Sequence, residues 1–143
     1  MLLPTEQEIM QMTSQELTLL LYQGLLEKLQ EAAQAIDTKN YDLANQRLQQ
    51  CHDIIRRLGA GLNYETEKTA GIPLADRLEA LYQYMAQQVL VANIEKKRAP
   101  IKETMTLLAM ITDAWEQAMA KRQDDRPQIH VRKLSAYDAP DDR

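Results

Sequence analysis

The segment YDLANQRLQQCHDIIRRLGAGL, residues 41–62, sets Tyr41, Ala44, Leu48, Cys51, Ile55, Leu58 and Leu62 at alternating spacings of three and four. On a helix those positions form one narrow seam. Such a seam belongs to a helix lying against one or two neighbours at the shallow crossing angle of a bundle. Leu43 and Ile54 lie off the seam. The partners of this helix must lie before and after it in the chain.

Upstream, Thr13-Ser14-Gln15-Glu16 reads as a capping box that opens a first helix running to about Asp37. Leu17, Leu19, Leu20, Leu21, Tyr22, Leu25, Leu26 and Leu29 spread over more than half of its circumference, too wide for one seam. Either this is a central helix covered from several sides, or part of its surface is kept for a visiting segment. Downstream, the stretch from Gly59 to Pro73 breaks the periodicity and reads as a loop. Pro73 suits the first turn of a third helix, Asp76 complements its dipole, and the helix runs to about Glu95. Leu74, Leu78, Leu81, Met85 and Ala92 make its stripe, flanked by Tyr82 with Val89 and by Tyr84 with Val91. Pro100 marks a fourth helix to about Lys121, with Ile101, Met105, Leu108, Thr112, Trp115 and Met119 in line and Leu107, Ile111, Ala114 and Ala118 beside them.

Four helices joined by mostly short connections predict an all-α fold, an antiparallel up-down four-helix bundle. Residues 1–12 are expected to be a flexible leader, 13–121 the bundle, and 122–143 a charged, mobile tail. Leu17, Leu21, Leu48, Leu58, Leu78, Leu81 and Trp115 are expected in the core.

At 143 residues the chain has the size of one domain, and 45% hydrophobic with 27% charged residues implies a packed core. A net charge of −4 leaves no cationic excess for phosphates, which argues against nucleic acid. No run approaches the roughly 20 apolar residues of a membrane span. The start of the chain lacks a signal peptide's basic and apolar regions, so a cytoplasmic location is expected. Cys51, the single cysteine, has no internal disulfide partner and sits on the seam, where a buried structural thiol is expected.

Catalytic chemistry is absent by pattern. A di-iron bundle needs Glu three positions before His, yet Gln49 precedes His52 and Pro127 precedes His130. No nucleophile elbow, P-loop or dinucleotide fingerprint occurs. No catalytic residue, cofactor or metal is therefore expected, and the chain reads as a non-enzyme. Two other readings compete with a dedicated binding module. One is a structural bundle whose broad faces serve self-association. The other is a phosphotransfer protein using His52, against which stand Ile55 and Arg56, where such domains place Lys and Gly.

Apolar arcs wider than a lone bundle requires, together with seven adaptable Met residues, suit helix-in-groove recognition of a protein partner. A homodimer would cover the same surface, so monomer and homodimer both stay open.

Thr13-Ser14-Gln15-Glu16-Leu17-Thr18-Leu19-Leu20-Leu21-Tyr22-Gln23-Gly24 resembles the first-helix signature of the flagellar secretion chaperone family, FliS, usually written Ser-Pro-x-Glu-Leu-Thr-Leu-x-Leu-Tyr-Asp-Gly. Ile54-Ile55, Leu58 and Leu62-Asn63-Tyr64-Glu65 are similar to the end of the family's second helix. Leu78-Glu79-Ala80-Leu81-Tyr82-Gln83-Tyr84-Met85 with Ala92-Asn93 resembles its third, and Asp113-Ala114-Trp115 its fourth. The likeness runs from about Met12 to Ala120. It implies a cytoplasmic chaperone that binds the C-terminal segment of flagellin, prevents premature polymerisation and assists delivery to the flagellar export apparatus, with no cofactor. Departures from the family pattern are Gln15 for Pro, Arg77 for Asn and Ala70-Gly71 for Gly-Gly. Glu6-Gln7-Glu8-Ile9-Met10 stands where an Asn-Ala-Tyr stretch is common, so a plug over the groove would have to be supplied by Ile9 and Met10.

For the flagellin-binding groove, the residues outside the tightest stripes are the candidates: Leu43 and Ile54 on the second helix, Tyr82, Val89 and Val91 on the third, and Leu107 and Ile111 on the fourth.

Overall fold

The computed structural model describes residues 14–62 and 74–124, which form four helices and no strand. These are α1 (Ser14–Asp37), α2 (Tyr41–Ala60), α3 (Leu74–Glu95) and α4 (Arg98–Asp124). The chain divides into two compact units after Ala109, so α1, α2, α3 and the first turns of α4 belong together and the second unit begins inside α4.

Two tight turns reverse the chain, and each places a lysine in the left-handed region. At the end of α1, Lys39 has φ 61°. Its N–H donates to the Ile36 carbonyl at 3.0 Å, and the Asn40 N–H reaches back to the Ala35 carbonyl at 2.8 Å. This Schellman-type closure satisfies carbonyls that the end of a helix leaves without partners. Asn40 then caps α2, its side-chain oxygen accepting from the Leu43 N–H at 3.3 Å. After α3, Lys96 has φ 54°. Its ammonium donates to the carbonyl and the side-chain oxygen of Asn93, at 2.6 and 2.8 Å.

Contacts between helices fix the up-down order. Arg47 near the start of α2 meets Glu31 near the end of α1, and Asn93 near the end of α3 donates to Asn45 near the start of α2. Arg98 at the start of α4 pairs with Asp37 at the end of α1. Tyr22 and Tyr82, each in the first half of its helix, join α1 and α3, which run the same way. The result is the expected antiparallel four-helix bundle. Helix α2 packs closely against both α1 and α3, and small buried residues on these helices, Ala32, Ala33, Ala44 and Ala92, permit the approach.

The α2 seam is as the periodicity predicts: Ala44, Leu48, Cys51, Ile55 and Leu58 are buried, while Tyr41 and Leu62 at its ends are less covered. On α1 the buried line is Tyr22, Leu25, Leu29, Ala32 and Ile36. Traced upstream at the same spacing, this line passes through Thr18 and Gln15 and bypasses the leucines. Leu17, expected in the core, is therefore 36% exposed, and Leu21 is only half-buried. On α3 the line is Leu78, Tyr82, Met85, Val89 and Ala92, which leaves Leu81 half-buried. Trp115, in the second unit, is half-buried as well. Leu48, Leu58 and Leu78 are interior as expected.

Helix boundaries moved by a few residues. Gly59 and Ala60 extend α2 into the stretch read as a loop. Helix α4 begins at Arg98, so Pro100 lies within its first turn, where a missing N–H leaves no bond unmade. The Pro100 carbonyl accepts at 2.8 Å from the hydroxyl of Thr104, the buried polar residue of α4, so no polar atom is left stranded there. Helix α4 also continues through Asp124, three residues into the segment assigned to the tail. Residues 1–12 of the expected leader, and the tail from residue 125 on, lie outside the described residues.

Candidate partner-binding surface

A side chain can meet a partner only if the bundle's own packing leaves it reachable, and this divides the seven groove candidates. Tyr82 and Val89 are interior, on the buried line of α3. Their expected place on a surface is corrected by phase: the run 78-82-85-89-92 keeps the three-four spacing, and Leu81 falls off it. Tyr82 tolerates burial because its hydroxyl lies 2.6 Å from that of Tyr22. Ile111, in the second unit, is also buried. Leu43, Ile54, Val91 and Leu107 are half-buried and remain available in part. Ile9 and Met10, expected to supply a plug, lie outside the described residues.

These four residues occupy two flanks. Leu43 and Ile54 share a face of α2 with Arg47, by the spacings four and seven, and Arg47 faces α1 through Glu31. Val91 shares a face of α3 with Tyr84, seven residues earlier, and the Tyr84 hydroxyl donates to Glu103 Oε2 of α4 at 2.6 Å. Leu107 follows Glu103 by one turn. One flank therefore runs along the α1/α2 side and the other along the α3/α4 side.

Polar chemistry frames the first flank. Arg47 Nε stands 2.7 Å from Glu31 Oε1, with Lys28 Nζ 3.7 Å from the same oxygen. The two meeting atoms are shielded from water, although their side chains remain partly exposed. Arg47 also donates through Nη1 to Gln50 Oε1 at 3.2 Å. A partly exposed pair of this kind contributes about 0.2–1 kcal/mol, so its effect is mainly to orient side chains beside Leu43 and Ile54. On the second flank, the bond from Tyr84 to the Glu103 carboxylate raises the phenol pKa above its ordinary value.

Burial pushes the Cys51 thiol from 9.0 up to about 12, which keeps it protonated and unreactive at neutral pH. His52 is half-buried on α2. Among the described residues, no group of three His, Cys, Asp or Glu could hold a metal ion, and no helix is long and apolar enough to cross a membrane.

Sequence reasoning passed over the large apolar side chains that are most exposed among the described residues, Leu90 and Ile94 on α3 and Met110 in the second unit. A signal for the first two was present: positions 90 and 94 fall outside the 78-82-85-89-92 phase and one turn apart on the far side of the helix.

Comparison with known proteins supplies what geometry alone does not. The family model described as Flagellar protein FliS matches residues 4–122. The chain is 33% identical over 114 residues to the flagellar secretion chaperone FliS of Bacillus subtilis (strain 168), covering 80% of this chain and 81% of the relative. It is 27% identical over 114 residues to the flagellar secretion chaperone FliS of Escherichia coli (strain K12), covering 80% and 82%. With the chaperone of the same name from Salmonella typhimurium it shares 29% identity over 117 residues, covering 81% and 84%.

Proposed function

The chain belongs to the FliS family of flagellar proteins, and from that premise we propose that it binds the C-terminal segment of flagellin in the cytoplasm, keeps that segment from polymerising, and assists its delivery to the flagellar export apparatus. The observation that carries this reading is the pair of half-buried apolar flanks, Leu43 with Ile54 and Val91 with Leu107. A segment that forms helices in a filament has apolar faces to cover, and a bundle with reachable apolar flanks can cover them without a cofactor or a chemical step.

Two flanks favour a cargo that wraps. A segment disordered before binding loses conformational entropy when it orders, and a long interface reaching both sides of the bundle offsets that cost better than a single short groove. The leader would compete for the same surface, with Ile9 and Met10 supplying its apolar contacts.

Calorimetric titration of the full chain with the C-terminal segment of flagellin from the same genome, with light scattering of the mixture, tests the reading. Saturable binding near one to one, with scattering that stays low, is the expected result. An intact segment that releases no heat and polymerises equally well with and without the chain overturns it.

A further inference from the structure

Gly24 stands in the middle of α1, a 24-residue helix, where an alanine would hold the helix better. Glycine loses more backbone freedom on folding than any other residue, so a glycine inside a helix is a cost unless packing requires it. Packing among the described residues does not require it here: a Cβ built on Gly24 meets none of their heavy atoms within 4 Å. The residue is half-buried and its backbone is helical. Neither a close approach nor a left-handed φ accounts for the glycine.

The register of the bundle fixes what lies opposite. Glu31 of α1 and Arg47 of α2 meet at 2.7 Å, and the two helices run in opposite directions. Gly24 precedes Glu31 by seven residues, and Ile54 follows Arg47 by seven. Two turns from the ion pair and on the same two faces, Gly24 and Ile54 therefore stand at one height. At the height of Glu31 both helices supply long side chains, and the ion pair spans the flank. At the height of Gly24, α1 supplies none. Leu20 and Leu21, half-buried one turn before Gly24, border the gap on α1, and half-buried Ile54 borders it on α2. Lys28, one turn after Gly24, carries its ammonium on to Glu31 at 3.7 Å, on the side away from the gap. The gap is left with apolar walls.

We propose that Gly24 is a specificity-determining residue of the α1/α2 flank: it leaves a notch beside Ile54 that seats one bulky apolar side chain of the flagellin segment. This inference rests on the reading of that flank as cargo surface. The class of occupant follows from the walls. An apolar side chain entering between Ile54, Leu20 and Leu21 gives up nothing, whereas a polar or charged one would surrender its water without replacement. A single apolar side chain held in such a seat is the kind of anchor that carries a large share of binding energy. Glycine at 24 is then explained by the visitor and not by the fold: the helix gives up stability so that the seat stays empty until cargo arrives.

Calorimetric titration of full-length variants with the C-terminal segment of flagellin, beside their thermal midpoints, tests this. Gly24→Ala should raise the midpoint by about 3 °C, because alanine is the better helix former and finds room, yet should weaken binding about threefold. Gly24→Gln, whose longer side chain fills the notch, should weaken binding about tenfold with a midpoint no lower than the parent's. Gly59→Ala is the control: its Cβ also meets nothing within 4 Å, but it lies five residues beyond Ile54 and is turned well away from it on α2. That variant should gain stability and keep the parent's affinity. Truncating one apolar residue of the segment to Ala should cost affinity for the parent and none for Gly24→Gln. If the parent binds the segment and Gly24→Gln binds it as tightly, if no apolar residue of the segment shows that coupling, or if the substitution changes only self-association of the chain in light scattering, the proposal is overturned. A parent that does not bind the segment at all removes the cargo reading, and this inference with it.

Discussion

The hydroxyls of Tyr22 on α1 and Tyr82 on α3 stand 2.6 Å apart in the interior of the bundle, their rings tilted at 59° with centroids 6.5 Å apart. The contact ties together two helices that are not neighbours in the chain, and it places a polar pair where an error of register would strand it. Tyr22→Phe and Tyr82→Phe should each lower stability by about 1 kcal/mol. The double variant should cost less than the sum, because the two substitutions remove one shared hydrogen bond. Urea denaturation of the four proteins measures the coupling; strict additivity would mean the two hydroxyls do not support each other.

Lys39 holds a left-handed φ of 61° in a Schellman-type turn, a conformation that glycine adopts without its Cβ penalty. Lys39→Gly should raise stability by about 0.5 kcal/mol, after the greater freedom of glycine in the unfolded chain is subtracted from the relief. Lys96→Gly, at φ 54°, should gain less or lose, because the ammonium bonds to Asn93 disappear with the side chain. Thermal midpoints of the two variants should therefore move apart.

Burial raises the Cys51 thiol from 9.0 to about 12, so between those values the unfolded chain ionises there while the folded chain keeps its proton. Stability is unaffected by this group below pH 9.0 and falls as pH rises toward 12. Cys51→Ala should be less stable than the parent at neutral pH, through lost packing, yet should lose less on passing from below pH 9.0 into that window. Denaturant midpoints on both sides of pH 9.0 would show parallel slopes if the thiol were already solvated in the fold.

The half-buried and the interior groove candidates should part company on substitution. Leu43→Gln, Ile54→Gln, Val91→Gln and Leu107→Gln are expected to weaken binding of the flagellin segment with little change in thermal midpoint. Val89→Ala, at a buried position of α3, should cost about 2 kcal/mol of stability. Calorimetric affinity measured beside the thermal midpoint separates the two classes.

Deleting residues 1–11 should tighten binding of the flagellin segment if Ile9 and Met10 occupy the cargo surface, since a competitor within the same chain reduces apparent affinity. An affinity identical to that of the full chain removes the plug.

The sequence by itself determined the helical class, the number of helices and the α2 seam. Ala44, Leu48, Cys51, Ile55 and Leu58 allow only one phase on a helix, and that phase is the buried one. It also carried the family, through blocks whose order the comparisons match over residues 4–122. Where a helix offers several apolar phases, the choice belonged to the tertiary structure. Helix α1 has leucines at 17, 19, 20 and 21, and only packing against α2 and across to α3 selects the line through Tyr22, Leu25 and Leu29 and leaves Leu17 outside. Helix α3 could have turned Leu81 inward, but the Tyr22–Tyr82 contact lies on the other phase, so Tyr82 and Val89 moved from expected surface to core. Local periodicity states which faces are apolar. Which of two apolar faces is covered depends on neighbours distant in the chain, and that decided both the position of the core and the separation of the candidate surface into two flanks.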